Sequence, residues 1–348
     1  MIKRLLQICA LGAAILATAT AAQAALKVAM VTSESGLGDK GGNDMMKAGL
    51  ERAKKDFGVD YVVIQPRTIS DFQATLQRAA GLHFDLIIGS SFDMIKPMVA
   101  VAASFPAQKF ALLDIGPDPV APNIASTVTK DWEGSFLVGA IGALVSKTGT
   151  IGFVGGKDIP IIHRFFIGYY YGAKTVKPDT KLIESYSGSF TDPAIGKEYA
   201  LAAISAGADI VYAAAGAAGA GVIEAAKATK TFAIGVDSDQ NYMAPGFVLT
   251  SMVKRVDTEA YDQVKALVGG TFKGGVVTSY GLKEGGVDFA MDQYNKGLIP
   301  DAVLAKAEEL RKKVGDGEIV VPNYFDLKKG DKMMGTPPLS VPPSFAAQ

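Results

Sequence analysis

The chain has one cysteine, one tryptophan and two histidines among its 348 residues. The single cysteine, Cys9, lies inside an apolar N-terminal stretch, so nothing after it can form a disulfide. His83 and His163 stand alone, without the His or Cys clusters on which transition-metal sites are built, and no metal or other cofactor is expected. Neither charge is in excess, with 35 Lys plus Arg against 35 Asp plus Glu, so there is no basic surplus to draw nucleic acid or anionic lipid. Beyond the N-terminus no apolar run reaches membrane-spanning length, which argues against membrane insertion. There is no Gly-x-Ser-x-Gly elbow for a serine nucleophile and no Gly-Lys-Ser/Thr for a phosphate loop. Gly216-x-x-Gly219-x-Gly221 follows a strand pattern and opens a helix, but it lacks the G-x-G-x-x-G spacing of a dinucleotide loop.

What is present begins with an export layout. Lys3 and Arg4 precede a mostly apolar run over 5–17, and Ala22-Gln23-Ala24 forms a small-x-small cleavage site. Residues 1–24 are therefore expected to be a cleavable signal peptide. Removing them leaves 33 basic residues against 35 acidic ones, a net charge of −2. Cys9 sits within the apolar core rather than after it, so the expectation is a periplasmic protein without a lipid anchor.

From residue 27 onward, apolar strands alternate with helical patterns. Strands are predicted at 28–31, 61–65, 86–88, 109–113 and 124–128, with helices at 43–57, after Asp71, and at 95–104. A helix at 133–146 leads into a second round, with strands at 150–154, 181–186, 210–213, 232–236 and 248–252 and helices at 163–177, 194–206 and 219–228. A helix at 258–267, a strand at 275–280 and a charged helix at 301–314 follow. Such alternation implies α/β architecture with parallel sheets and right-handed crossovers. Two similar rounds in one chain imply two lobes with a cleft between their strand ends, where ligands collect.

The strand ends carry the polar and aromatic candidates. The stretch 27–44, KVAMVTSESGLGDKGGND, runs from a strand through a glycine-rich turn into a helix and places Asp39 and Asn43 on one wall of the expected cleft. Asp39, Asp114, Asp158, Asp237 and Asp239 are of a type suited to acid–base work, though spacing brings no two of them together. Phe92 and Phe190 each follow a strand within a polar Gly/Ser turn, where an aromatic either caps the core or faces the cleft. Phe165, Phe166, Tyr169, Tyr170 and Tyr171 fall on one helix and read as core and lobe-surface packing; Trp132, between the two rounds, reads as structural.

Seven motifs in order resemble the basic membrane protein (PnrA-like) family of ABC-transporter substrate-binding proteins. They are Gly-Asp-Lys-Gly-Gly-Asn-Asp (38–44), Gly-Phe-Val-Gly-Gly-Lys-Asp-Ile-Pro (152–160), Tyr-Ser-Gly-Ser-Phe-Thr-Asp (186–192), Ala-Ala-Gly-Ala-Ala-Gly-Ala-Gly-Val (214–222), Gly-Val-Asp-Ser-Asp-Gln (235–240), Thr-Ser-Met-Val-Lys-Arg-Val-Asp (250–257) and Gly-Leu-Lys-Glu-Gly-Gly-Val (281–287). The resemblance implies a type I periplasmic binding protein: two Rossmann-like lobes joined by a three-strand hinge. Residues 25–129 and 253–274 would form the N-terminal lobe, 130–252 and 275–326 the C-terminal lobe, and 327–348 a Pro/Lys-rich tail. It implies a monomer that binds a purine nucleoside or purine base and hands it to an ABC transporter permease, and no enzymatic activity. Carried over by motif, Asp39 and Asn43 would hydrogen-bond the purine and Phe190 would stack on it. Asp114, Gly216 and Asp237 would hold the ribose, Lys254 would add a polar contact, and Ser90, Ser91 and Phe92 would line the same edge. The alternatives are another small polar solute such as a sugar, or a periplasmic nucleoside hydrolase. The sequence departs from the family pattern at Gly41-Gly42-Asn43, where relatives place an aromatic before the asparagine. Its second departure is the missing lipobox.

Overall fold

A computed structural model describes residues 25–114 and 121–327. The expected signal peptide, Cys9 and the tail beyond Leu327 lie outside the described residues.

In the first lobe, β1 (Lys27–Val31), α1 (Gly42–Phe57), β2 (Asp60–Ile64), α2 (Phe72–Gly81), β3 (Leu86–Gly89), α3 (Ile95–Ser104), β4 (Phe110–Leu112) and β5 (Ile124–Thr129) follow one another. The second lobe repeats the sequence with α4 (Asp131–Val145), β6 (Thr150–Gly155), α5 (Pro160–Val176), β7 (Lys181–Tyr186), α6 (Pro193–Ser205), β8 (Ile210–Ala214), α7 (Gly219–Thr229), β9 (Phe232–Asp237) and β10 (Val248–Lys254). Then come α8 (Val256–Val268), β11 (Val277–Tyr280), β12 (Val287–Phe289) and α9 (Asp301–Gly315).

The central strands β1, β3, β4 and β8 are apolar runs because both faces of each sheet are covered by helices. In β1, Val28 and Met30 pack with Met46 and Leu50 of α1 and Val256 and Val264 of α8. The alternate residues Ala29 and Val31 pack on the other face with Phe72 and Leu76 of α2 and Met98 of α3. The second sheet does the same: Ile151 and Phe153 join the cluster formed with α4, α5 and α9, while Val154 joins the one under α6 and α7. Helix ends follow local chemistry. Gly58 takes the left-handed conformation that closes α1, donating its N–H to Lys54 O at 3.0 Å. Asp192 caps α6 ahead of Pro193.

The sheet orders are β2-β1-β3-β4-β5-β11 and β7-β6-β8-β9-β10-β12. The first five strands of each thus follow the doubly wound 2-1-3-4-5 order, whose ligand crevice opens at the carboxyl ends beside the first and third strands. The expected α/β fold with two Rossmann-like lobes is what the chain adopts. All pairings in the first sheet are parallel. The second ends in an antiparallel strand, β12, against β10; residues 287–289 are too short a segment to be read as a strand from periodicity.

The chain passes between the sheets three times: from β5 to α4, from β10 to α8 and from β11 to β12. The last crossing corrects the expected lobe boundary. β11 pairs with β5 in the first sheet, with Thr278 opposite Thr127 and Tyr280 opposite Thr129. The return to the second lobe therefore comes after Tyr280, not at 275. Among the described residues no helix is long and apolar enough to cross a membrane.

Candidate functional site

Facing strand ends enclose a cavity of ≈ 160 Å³ between the lobes. Asp39, Asn43, Ser90, Ser91, Phe92, Asp114, Phe190, Gly216, Asp237 and Lys254, the ten residues singled out in the sequence, all line it. Of the five candidate acids it brings together Asp39, Asp114 and Asp237. Asp158 lies outside the lining, 2.6 Å from His163, and Asp239 instead accepts the Asn241 N–H.

The turn after β1 is braced from within. Asp39 accepts hydrogen bonds from the N–H groups of Gly41 (2.9 Å), Asn43 (3.0 Å) and Asp44 (3.2 Å), the start of α1. The Asn43 amide nitrogen donates to Asp39 Oδ2 and to Ser33 Oγ, both at 2.8 Å, and its oxygen accepts the Ser33 N–H at 2.9 Å. Burial raises the Asp39 carboxyl above its ordinary range, and the three amides pull it back only in part. The resemblance implied that both side chains grip a purine edge. Here Asp39 has four donors and both N–H bonds of the Asn43 amide are taken, so the pair braces the wall that it lines.

Asp114 and Asp237 form the centre. Asp237 ends β9 and Asp114 lies two residues past β4, both in the left-handed region, at φ 65° and 63°, a conformation that aspartate tolerates better than most residues. Between them lies Lys254, at the end of β10, paired with Asp114 and 3.4 Å from Asp237. Burial disfavours the Lys254 ammonium, but the carboxylates of Asp114, Asp237 and Asp131 outweigh it and hold its pKa above the ordinary lysine value. Burial pushes Asp237 up, Lys254 opposes this, and Asp114 and Asp39 add to it. The other carboxylate oxygen of Asp114, Oδ1, is buried and has no hydrogen-bond partner among the described residues. An acceptor left in this state calls for a donor.

The second wall is apolar and aromatic. The Phe190 ring packs closely against the strand end because position 156 is glycine: a Cβ there would stand 2.2 Å from its Cδ1. Lys157 Nζ lies 5.2 Å from the ring centroid. Ile159, Ile161, Ile162 and Phe165 complete this wall. The sequence reading missed the isoleucines and placed Phe165 in the core; it is buried and also lines the cavity. The three isoleucines around Pro160, at the start of the aromatic helix, were the available signal.

The lobes also touch across the cleft mouth. Lys157 reaches Glu34 at 2.6 Å. Ser238 Oγ and Gln240 Nε2 both donate to the carbonyl of Lys40, at 2.5 and 2.9 Å. A Cβ on Gly41 would come within 3.1 Å of Asp237 Oδ2, so glycine lets the walls meet there. A Cβ on Gly42 would meet nothing within 4 Å. Among the described residues no group of three or more His, Cys, Asp or Glu side chains is placed to hold a metal ion.

Residues 26–324 match the family described as ABC transporter substrate-binding protein, PnrA-like. The ABC transporter nucleoside-binding protein BmpA of Lactococcus lactis subsp. cremoris is 34% identical over 320 residues, covering 86% of this chain and 89% of that protein. An uncharacterized lipoprotein of Pyrococcus abyssi is 35% identical over 315 residues, covering 83% of this chain and 78% of its own length. Among solved structures, a solute-binding protein of an ABC transporter system from Aeropyrum pernix K1 superposes with a TM-score of 0.77 at 30% identity, over 85% of this chain and 94% of that one. The lipoprotein name corrects the expectation of a protein without a lipid anchor. That expectation rested only on Cys9 lying inside the apolar run, a position that does not outweigh a relative of this similarity being a lipoprotein.

Proposed function

This chain belongs to the PnrA-like family of ABC transporter substrate-binding proteins, and from that premise we propose that it binds an uncharged purine nucleoside or purine base, as a monomer, and delivers it to the transporter's permease. The observation that carries the reading is that one cavity is lined by the ring of Phe190 and by the carboxylates of Asp114 and Asp237. A heterocycle offers a face for the ring, and ribose hydroxyls offer donors for the carboxylate. Asp237 and the backbone at Gly216 extend the hydroxyl-binding side, and Lys254 fixes both carboxylates. The cavity is lined by Glu34, Asp39, Asp93, Asp114 and Asp237 against Lys254, with Lys157 at its edge. A phosphorylated ligand would meet net negative charge, so nucleotides are disfavoured. The Lactococcus lactis relative is named as nucleoside-binding, which agrees with this reading.

A second reading, a sugar or other small polar solute, is favoured by Gly42, which leaves the first wall without an aromatic at that point. Calorimetry with adenosine, guanosine, inosine, their free bases and a panel of sugars separates the two. Binding confined to the purine compounds supports the proposal; no binding to any of them at high micromolar concentration overturns it. Release of free base from a nucleoside during the incubation would instead indicate hydrolysis.

A further inference from the structure

Glu259 is a fully buried carboxylate in the first turn of α8 that the binding scheme above does not use. Its Oε2 accepts the backbone N–H of Asp114 at 3.1 Å and the hydroxyl of Thr127. Its Oε1 accepts the hydroxyl of Thr129 at 2.5 Å. The Asp114 N–H is shared with Thr127 Oγ1 at 2.8 Å. Thr127 and Thr129 are both fully buried and lie on β5, whose end is the first crossing between the lobes. α8 itself starts just after Lys254, at the second crossing. The third is tied to the same helix, since Tyr280 at the end of β11 donates its hydroxyl to Asp262 at 3.1 Å. One helix therefore gathers all three hinge segments, and its buried carboxylate reaches the main chain of Asp114, a residue that lines the cavity.

We propose that Glu259 is a positioning residue for ligand binding: by holding the Asp114 amide against β5, it sets where the Asp114 carboxylate stands and ties that position to the hinge. A non-glycine residue in the left-handed region needs its surroundings to keep it there. The Glu259–Thr127 pair supplies that restraint from the backbone side, as Lys254 does from the side-chain side. Thr129 holds the other oxygen of Glu259 but does not reach Asp114. The two threonines thus separate positioning from simple burial, because they are equally buried and only one belongs to the restraint.

The test compares Thr127→Val, Thr129→Val, Glu259→Gln and Glu259→Leu in the full chain. Amide exchange at Asp114, followed by NMR, reads the restraint without any ligand. Titration with adenosine, guanosine and inosine reads its consequence and rests on the nucleoside proposal. Exchange at Asp114 should speed at least tenfold in Thr127→Val and less than threefold in Thr129→Val. Affinity for whichever nucleoside the wild type binds should fall at least fivefold in the first and less than twofold in the second. Glu259→Gln, which keeps one acceptor oxygen for the amide, should behave like Thr129→Val, whereas Glu259→Leu, which keeps none, should behave like Thr127→Val. Equal effects of the two threonine variants on Asp114 exchange, or unchanged exchange in Glu259→Leu, would overturn the proposal. If the wild type binds no nucleoside, the functional reading fails while the exchange comparison still decides the role of Glu259.

Discussion

The first lobe meets the cleft with Glu34, Asp39, Asp93 and Asp114, the second with Ile159, Ile161, Ile162, Phe165 and Phe190, although both lobes share one strand order. They agree only after the fourth strand of each sheet. There both carry an aspartate in the left-handed region, and both aspartates turn to the same lysine. Duplicate architecture thus supplies a matched pair of carboxylates at the centre of the cleft. The remaining strand ends are finished in opposite chemistry, polar against apolar. Such a cleft suits a ligand with a flat apolar face and a polar edge, and it makes the two walls separable by mutation.

The sharpest way to break the matched centre is Lys254→Met, which strands two buried carboxylates. Losing one partner of a buried ion pair costs about 3–5 kcal/mol, so chemical denaturation should show a loss of that order, and nucleoside binding should disappear with it. A smaller effect, of opposite sign at neutral pH, is expected behind the first wall. Burial, and then the charge of Asp114, push the Glu259 carboxyl up to about 7, against an ordinary value of 4.5; the Thr127 and Thr129 hydroxyls and Lys254 oppose them. Because the folded-state value lies above the unfolded one, the proton is bound more tightly in the folded protein. Its contribution to stability is fully present below about pH 4.5 and is lost as pH rises through 7. Glu259→Gln removes that dependence. Its stability relative to wild type should therefore climb by on the order of 2–3 kcal/mol between pH 4.5 and 8. Asp131, which burial also raises to about 7, is present in both proteins and drops out of the difference.

The contrast between the walls predicts unequal aromatic roles. Phe190→Ala should weaken nucleoside binding by about 1–3 kcal/mol, the loss of one base–aromatic stack. Phe92, on the polar wall and 39% exposed, should cost less than half as much in the same calorimetric titration. The smallest effect belongs to the cleft mouth. Lys157→Ala removes a partly exposed bridge to Glu34, worth about 0–1 kcal/mol. Its influence on affinity should shrink further between low and high salt, and scattering should show a modest shift toward the open form.

The strand–helix alternation was legible because buried parallel strands are continuous apolar runs, and Gly, Ser and Asp mark where each one ends. The same punctuation, read together with the family motifs, located the ten cavity residues. Three things were not legible, each for a physical reason. β12 is three residues long and takes its place from pairing with β10, so no periodicity announces it. β11 is extended in either lobe, and only its pairing with β5 decides the boundary. Glu259 lies in a helical turn with Asp257, where acidic residues ordinarily serve the helix dipole in solvent. Its approach to Asp114 spans 145 positions and exists only in the folded chain.

Calorimetric titration with guanosine and with guanosine 5′-monophosphate, side by side, tests the opposed walls most directly. The account predicts saturable binding of the nucleoside and at least a hundredfold weaker binding of the phosphate ester, whose charge meets Asp114, Asp237 and Glu34. Equal or tighter binding of the monophosphate would contradict it.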